Sequence, residues 1–331
     1  DEFFSVLPSS VRIFAKTRQN GQNLRGAPLE VRSARDYLLN NFSLDSCRYK
    51  ASENQIRASA KAESSKNRKN TETVISVREA WFRYEKDSKD ILCGMNFDVH
   101  AGELTCIVGG NGAGKTTALL TAAGVFAPYR GKVKYRGKPI STFRKDKGSA
   151  GKIGVLVQNP LCCFVMDSVA EELEAYKLPR SGIEEVIDIM QLQSVLNSNP
   201  YDISGGELQR AAIAKLLLPE PEVIFLDEAT KGMDAFFKAE FGALLRRLAA
   251  RGTAIVLVSH DIEFCAEFAD RCAMFFNGTV IAEGTPQDVF LGNSFYTTSA
   301  CRISRGIIPD ALTSEQIIDY ANRCERKKND D

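Results

Sequence analysis

Gly109-Gly110-Asn111-Gly112-Ala113-Gly114-Lys115-Thr116-Thr117 follows the apolar run Leu104 to Val108 and precedes the helix-compatible Ala118 to Ala123. Strand, loop and helix in that order are the setting in which G-x-x-x-x-G-K-[ST] binds phosphate. Glycines let successive backbone N–H groups turn inward around phosphate oxygens, and the helix N-terminus adds positive potential. Lys115 supplies a point charge, and Thr116 offers a hydroxyl to Mg²⁺. A glycine-rich turn with a chance lysine would not need the flanking strand and helix to agree.

Downstream, Val223-Ile224-Phe225-Leu226-Asp227-Glu228 ends a buried-strand pattern in two acids. Next to a phosphate loop, Asp227 is placed to hold Mg²⁺ and Glu228 to orient and activate water. Ser204-Gly205-Gly206-Glu207 fits a capping box, which explains Ser204 and Glu207. It leaves two consecutive glycines unexplained, and glycine in a first helical turn serves where something approaches the backbone closely.

The run Ile203 to Leu218, ISGGELQRAAIAKLLL, resembles the signature helix of ATP-binding cassette (ABC) ATPases, and the resemblance extends over about residues 73–292. The fold it implies is α/β: a P-loop ATPase with a RecA-like core, an antiparallel β subdomain and a helical signature subdomain. It also implies site roles. Tyr84 would lie against adenine. Gly109, Asn111, Gly112, Ala113, Gly114, Lys115, Thr116 and Thr117 would hold ATP. Ser204, Gly205, Gly206 and Asp234 would serve the ATP of a second cassette. Mg²⁺ would sit among Thr116, Gln158 and Asp227, and Glu228, His260 and Gln158 would carry hydrolysis. This sequence departs from the commonest pattern at Ile203, Glu207, Ala229 and Met233, none of which removes a reacting group.

Finer segments, FRYEKDSKDILCGMNFDV, KGMDAFFKAEF, VSHDIEFCAEFADR and GNSFYTT, resemble energy-coupling-factor (ECF) transporter ATPases, especially those with two cassettes fused in tandem. That resemblance implies an ATPase powering a membrane importer of a vitamin, vitamin precursor or transition metal. Its partners would be a second cassette, either an upstream tandem half or a homodimer mate, an integral membrane coupling subunit and a substrate-binding membrane subunit. Its place would be the cytoplasmic face of the cell membrane. Residues 1–45 would then be the tail of an upstream cassette, 46–72 a polar linker, 73–292 the ATPase domain and 293–331 a C-terminal helical extension.

Composition agrees with a globular chain: 331 residues, 44% hydrophobic, net charge +1. Residues 1–70 carry 13 Lys+Arg against 7 Asp+Glu, and the remainder 30 against 35. The basic excess falls in a Ser-, Lys- and Asn-rich stretch without interleaved aromatics, so it reads as a solvated tether and no nucleic-acid partner is expected. No apolar run reaches the ~18–20 residues of a membrane span. Nine cysteines without CxxC spacing read as reduced core residues. No charged-then-apolar leader follows Asp1, so the chain reads as a fragment or processed product.

Two rival functions are weighed. One is a soluble ABC ATPase acting on ribosomes or DNA, whose DNA-repair or chromosome-organising version would need a long coiled coil or zinc insertion between Lys115 and Ser204, which lie only 89 residues apart. A catalytically silent module would not need Glu228 and His260. The loop Leu161-Cys162-Cys163-Phe164-Val165-Met166 is apolar where a surface loop is ordinarily polar. The resemblance puts a membrane partner's coupling helix beside it, with Phe164 or Met166 expected at the contact.

Overall fold

The computed structural model describes residues 7–18, 26–42, 72–293, 295–308 and 310–324. It divides the chain into two compact units, Glu72–Thr285 and a smaller one formed by Asp1–Thr71 with Pro286–Asp331. Most of the expected polar linker, residues 46–71, lies outside the described residues, as do Phe3, Phe4 and Val6.

The larger unit is built on two sheets. Strands β1 (Thr73–Phe82), β2 (Leu92–His100), β4 (Arg130–Tyr135) and β5 (Lys138–Pro139) form an antiparallel sheet in the order β2-β1-β4-β5. The second sheet runs β10-β9-β3-β8-β7-β6, from β3 (Leu104–Val108), β6 (Ile153–Leu156), β7 (Val223–Asp227), β8 (Ala254–Val258), β9 (Arg271–Phe276) and β10 (Thr279–Gly284). Its five strands β9, β3, β8, β7 and β6 are parallel, and β10 pairs antiparallel to β9. Every residue of β3, β7 and β8 is buried, which is why each reads as an unbroken apolar run rather than an alternation.

The helix Lys115–Ala122 packs Ala118, Leu119 and Ala122 into the same core as Val74, Ile75 and Val77 of β1 and Phe225 and Val256 of the parallel sheet. Strand ends and helix starts therefore converge at one edge, where the C-terminal ends of β3, β6, β7 and β8 carry their polar residues. The helices Val169–Glu174, Arg180–Ile189 and Gly205–Leu217 lie between β6 and β7 in sequence and make up the helical part.

The smaller unit joins segments that the sequence reading kept apart. Ile13, Ala34, Leu38, Phe42, Ala300, Ile303, Ile317 and Ala321 share one apolar core. Four of its described helices, Ser9–Thr17, Val31–Asn41, Ser299–Ser304 and Ser314–Arg323, also repeat a pattern. Counted from the N-caps Pro8 and Thr298, Ser9-x-x-Arg12-Ile13 matches Ser299-x-x-Arg302-Ile303. From the N-caps Glu30 and Thr313, Ala34, Asp36, Tyr37 and Leu38 match Ile317, Asp319, Tyr320 and Ala321. Matched positions Ile13 and Ile303, Ala34 and Ile317, and Leu38 and Ala321 are all fully buried. The first helix of each pair packs most heavily against the second helix of the other. Arg12 also pairs with Glu315, and Arg35 donates to the carbonyls of Ile303 and Arg305. Neither pair of short helices has enough apolar face to bury alone, so each supplies the other's core.

The cysteine reading holds for Cys106, Cys265, Cys272 and Cys301, which are buried and free. It needs two corrections: Cys324, expected to be reduced, is disulfide-bonded, and Cys162 is free but exposed rather than in the core.

Candidate nucleotide-binding site

The loop after β3 is shaped by its glycines. Gly109, Gly112 and Gly114 have φ of +154°, +74° and +99°, conformations that L side chains resist. At Gly109 a Cβ would fall 2.2 Å from the carbonyl oxygen of Phe275, and at Gly114 one would fall 2.9 Å from that of Ile91. Neither position tolerates a side chain without moving backbone. The Lys115 ammonium is buried and folds over the loop, donating to the carbonyls of Gly109 at 3.0 Å and Gly110 at 2.8 Å. Burial lowers its pKa, while Glu228 and Asp227 hold it up.

The loop opens into a cleft of about 870 Å³. Tyr84, Asn111, Gly112, Gly114, Lys115, Thr116, Thr117, Gln158, Glu228 and His260 all line it. Tyr84 stands 60% exposed at its mouth, with its hydroxyl 3.0 Å from Thr117 Oγ1 and its ring edge-on to Phe82 and Phe126. An exposed ring so braced leaves a face free for stacking.

Asp227 ends β7 at 1% exposure. One carboxylate oxygen, Oδ2, accepts from the Thr116 hydroxyl at 2.7 Å. The other, Oδ1, is buried without a hydrogen-bond partner, and burial pushes the carboxyl pKa up, opposed by the Thr116 hydrogen bond. An orphaned carboxylate oxygen beside a threonine hydroxyl is an oxygen donor set of the kind a small hard cation takes. Among the described residues no cluster of three or more His, Cys, Asp or Glu could hold a metal by itself. Asp227 and Thr116 match in number the one or two protein ligands through which Mg²⁺ binds beside substrate phosphates.

Glu228 has φ +52°, a left-handed conformation that costs a non-glycine residue about 1 kcal/mol or more. Its N–H extends the β7–β8 ladder by bonding the Val258 carbonyl at 2.9 Å. The carboxylate is thereby aimed into the cleft, where Oε2 accepts from Gln158 Nε2 at 3.1 Å and Oε1 lies 3.2 Å from His260 Nε2. Three residues from three separate strand ends meet because β6, β7 and β8 are parallel neighbours.

Ser204, Gly205, Gly206 and Asp234 do not line this cleft. Ser204 caps its helix in a complete capping box with Glu207, and Asp234 caps Ala235–Ala250 by accepting from Phe237 N at 2.8 Å. The two glycines differ. A Cβ on Gly206 would sit 3.1 Å from the Gly232 carbonyl, whereas Gly205 faces open space. Gly206 has a packing reason within this chain, and Gly205 offers an uncovered backbone at a helix N-terminus.

Sequence reasoning missed Ile91, Thr230, Lys238, Ser259 and Asp261 as cleft lining. Lys238 and Asp261 pair at 2.7 Å across the rim. Their only signals were that Asp261 follows His260 directly and Lys238 lies about one helical turn after Asp234. The apolar loop also needs a correction: Phe164 turns inward at 5% exposure, while Val165 and Met166 face out at 81% and 42%.

A family model described as "ABC transporter" matches residues 92–231. The energy-coupling factor transporter ATP-binding protein EcfA of Methanocaldococcus jannaschii is 33% identical over 226 residues, 66% of this chain and 81% of that protein. CbiO1 of Clostridium perfringens, described as part of the ABC transporter complex CbiONQ, superposes with a TM-score of 0.58 at 29% identity, over 66% of this chain and 90% of the other. A dimeric bacterial ABC transporter cassette gives a TM-score of 0.56 at 25% identity, over 64% of this chain and 98% of the other. This chain belongs to the ABC transporter ATP-binding family and carries an ABC ATPase domain that binds ATP. It spans only about half the length of curated Bacillus relatives, 55% and 46% in two cases.

Proposed function

We propose that the chain is the second cassette of a tandem energy-coupling-factor ATPase, which hydrolyses ATP to drive a membrane importer of a vitamin, vitamin precursor or transition metal. The observation that carries the hydrolytic part is the convergence of Gln158, Glu228 and His260 on the cleft that the Lys115 loop opens. Lys115 and the loop amides bind the phosphates, and Tyr84 takes the base. Glu228 holds the attacking water and accepts its proton at a carboxylate oxygen, with Gln158 and His260 fixing that carboxylate. Mg²⁺, held by Thr116, Asp227 and Gln158, would neutralise charge on the phosphates.

Ser204, Gly205, Gly206 and Asp234 stand outside this chain's own cleft, as expected if they complete the site of a second cassette. The repeated helix pairs of the smaller unit support the tandem reading: residues 7–42 resemble the module at 298–324 that follows this cassette, so they would follow another. The EcfA and CbiO1 likenesses support the importer type, with the chain at the cytoplasmic face through its membrane partners. Among the described residues no helix is long and apolar enough to cross a membrane.

Calorimetry on the full chain tests the nucleotide site. ATP is expected to bind about tenfold more tightly with Mg²⁺ than with EDTA, and Asp227→Asn to abolish that difference while retaining metal-free binding. Equal Mg²⁺ dependence in the variant would exclude Asp227 from the metal site.

Two further outcomes test the partners. Because Val165 and Met166 face outward and Phe164 does not, the double variant Val165→Ser, Met166→Ser is expected to leave thermal stability unchanged and to weaken co-purification of an integral membrane subunit. Normal co-purification would remove this loop from the contact. Ile13→Asp and Ile303→Asp, at matched buried positions, are each expected to cost the smaller unit about 3 kcal/mol or more. Limited proteolysis should then release residues 7–42 and 298–324 alike, and a large effect at only one position would contradict the repeat.

A further inference from the structure

Glu172 is 1% exposed, a depth at which a carboxylate is found only with partners. Its Oε1 accepts from the amides of Val165 and, at 2.6 Å, of Met166, and its Oε2 receives the Lys215 ammonium. Lys215 also donates to the Cys163 carbonyl and lies 5.7 Å from the ring centroid of buried Phe164. One acid and one base therefore touch every residue from Cys163 to Met166. The pair bridges two helices, since Glu172 lies in Val169–Glu174 and Lys215 in the last turn of Gly205–Leu217.

The loop starts at the cleft, and Lys215's helix starts at Ser204, which on the proposal above lies at the ATP of a second cassette. The loop begins at Gln158, bonded to Glu228 in the cleft, and continues through Asn159, whose side chain caps the turn Pro160–Cys163. Ser204 caps the opposite end of Lys215's helix, about 16 Å away at 1.5 Å per residue. A buried ion pair is a weak device for stability alone, because well-packed apolar residues of similar volume do as well or better. What it supplies here is direction: it orients two loop amides and one carbonyl whose side chains, Val165 and Met166, face solvent.

We infer that Glu172 and Lys215 form a positioning pair that relays the nucleotide state of the cleft to the exposed Val165–Met166 surface and ties that surface to the signature helix. The relay rests on the cleft binding nucleotide, as proposed above, and does not depend on which partner meets the surface. Burial pushes the Glu172 carboxyl up, but Lys215 and the two amides outweigh it, so its pKa lies below the usual range and it is charged at neutral pH.

Amide hydrogen exchange on the full chain, with and without Mg²⁺ and a non-hydrolysable ATP analogue, tests this. In the wild type the Val165 and Met166 amides should exchange slowly despite their exposed side chains, and analogue binding should change their rates by about threefold or more. The double variant Glu172→Gln, Lys215→Met keeps an acceptor for both amides and removes both charges. It should bind the analogue with affinity within about twofold of wild type and lose the nucleotide-dependent change. Lys215→Arg, which retains the charge, should keep the change. Glu172→Gln alone is a second test with the same expected loss. Persistence of the change in the neutral variants, or its absence in a wild type that binds the analogue, would overturn the relay alone. Failure of the wild type to bind the analogue would overturn the nucleotide site and the relay together. Unfolding of both neutral variants would reassign the pair to stability.

Discussion

Glu228→Gln is expected to lower steady-state ATP turnover of the assembled transporter by about 10²- to 10⁴-fold, the range a positioned general base contributes. The amide keeps the shape of the side chain, so contacts with Gln158 and His260 can persist, but it cannot accept the proton of an attacking water. ATP binding should be unchanged, and the ATP-bound pair of cassettes should accumulate. Phosphate release and a gel-filtration shift in ATP read the two effects separately. Because Glu228 sits at φ +52°, Glu228→Gly relieves the backbone strain and still removes the base. It should be as inactive as the glutamine variant, and activity in either would assign the base elsewhere.

The second large effect separates the two halves of the proposed site. Lys115→Ala removes a buried charge from two loop carbonyls and from the phosphates, and ATP affinity should fall by about tenfold to a hundredfold. Ser204→Arg, in contrast, should leave ATP binding by the Lys115 loop within about twofold, while ATP-dependent pairing and hydrolysis are lost. Ser204 also caps its helix, so Ser204→Ala, which costs about 1 kcal/mol of cap without adding bulk, is the control for helix loosening. Equal loss of initial ATP binding in Lys115→Ala and Ser204→Arg would contradict a site shared between cassettes.

The contrast between Lys115 and Ser204 follows how far each was legible in the amino-acid order. The phosphate loop is contiguous: strand, glycines, lysine and helix are consecutive, and their conformations follow from local backbone preference. The capping box of Ser204 and Glu207 is local in the same way, and the structure contains both of its hydrogen bonds. The runs Leu104 to Val108, Val223 to Leu226 and Ala254 to Val258 announce buried strands because both faces are covered. By contrast, β4 buries only Val133 and Tyr135 and β10 buries no residue, and the sequence reading did not single them out.

Amino-acid order by itself determined the phosphate loop, the acidic strand end, the signature helix and, through resemblance, the α/β class of the fold. Tertiary structure alone decided which distant groups meet. Gln158, Glu228 and His260 converge because three strands run parallel, and Asp227 Oδ1 is orphaned because packing excludes water from it. The Cys163–Met166 loop sorted Phe164 inward and Val165 outward because Glu172 and Lys215, 43 positions apart, meet beneath it, and no local pattern encodes that meeting. The two helix pairs likewise carry a short matched pattern, but it acquires meaning only where Ile13 and Ile303 enter one core. Local propensity is written along the chain, whereas pairing of remote charges and shared burial depend on the whole set of contacts that the folded chain closes.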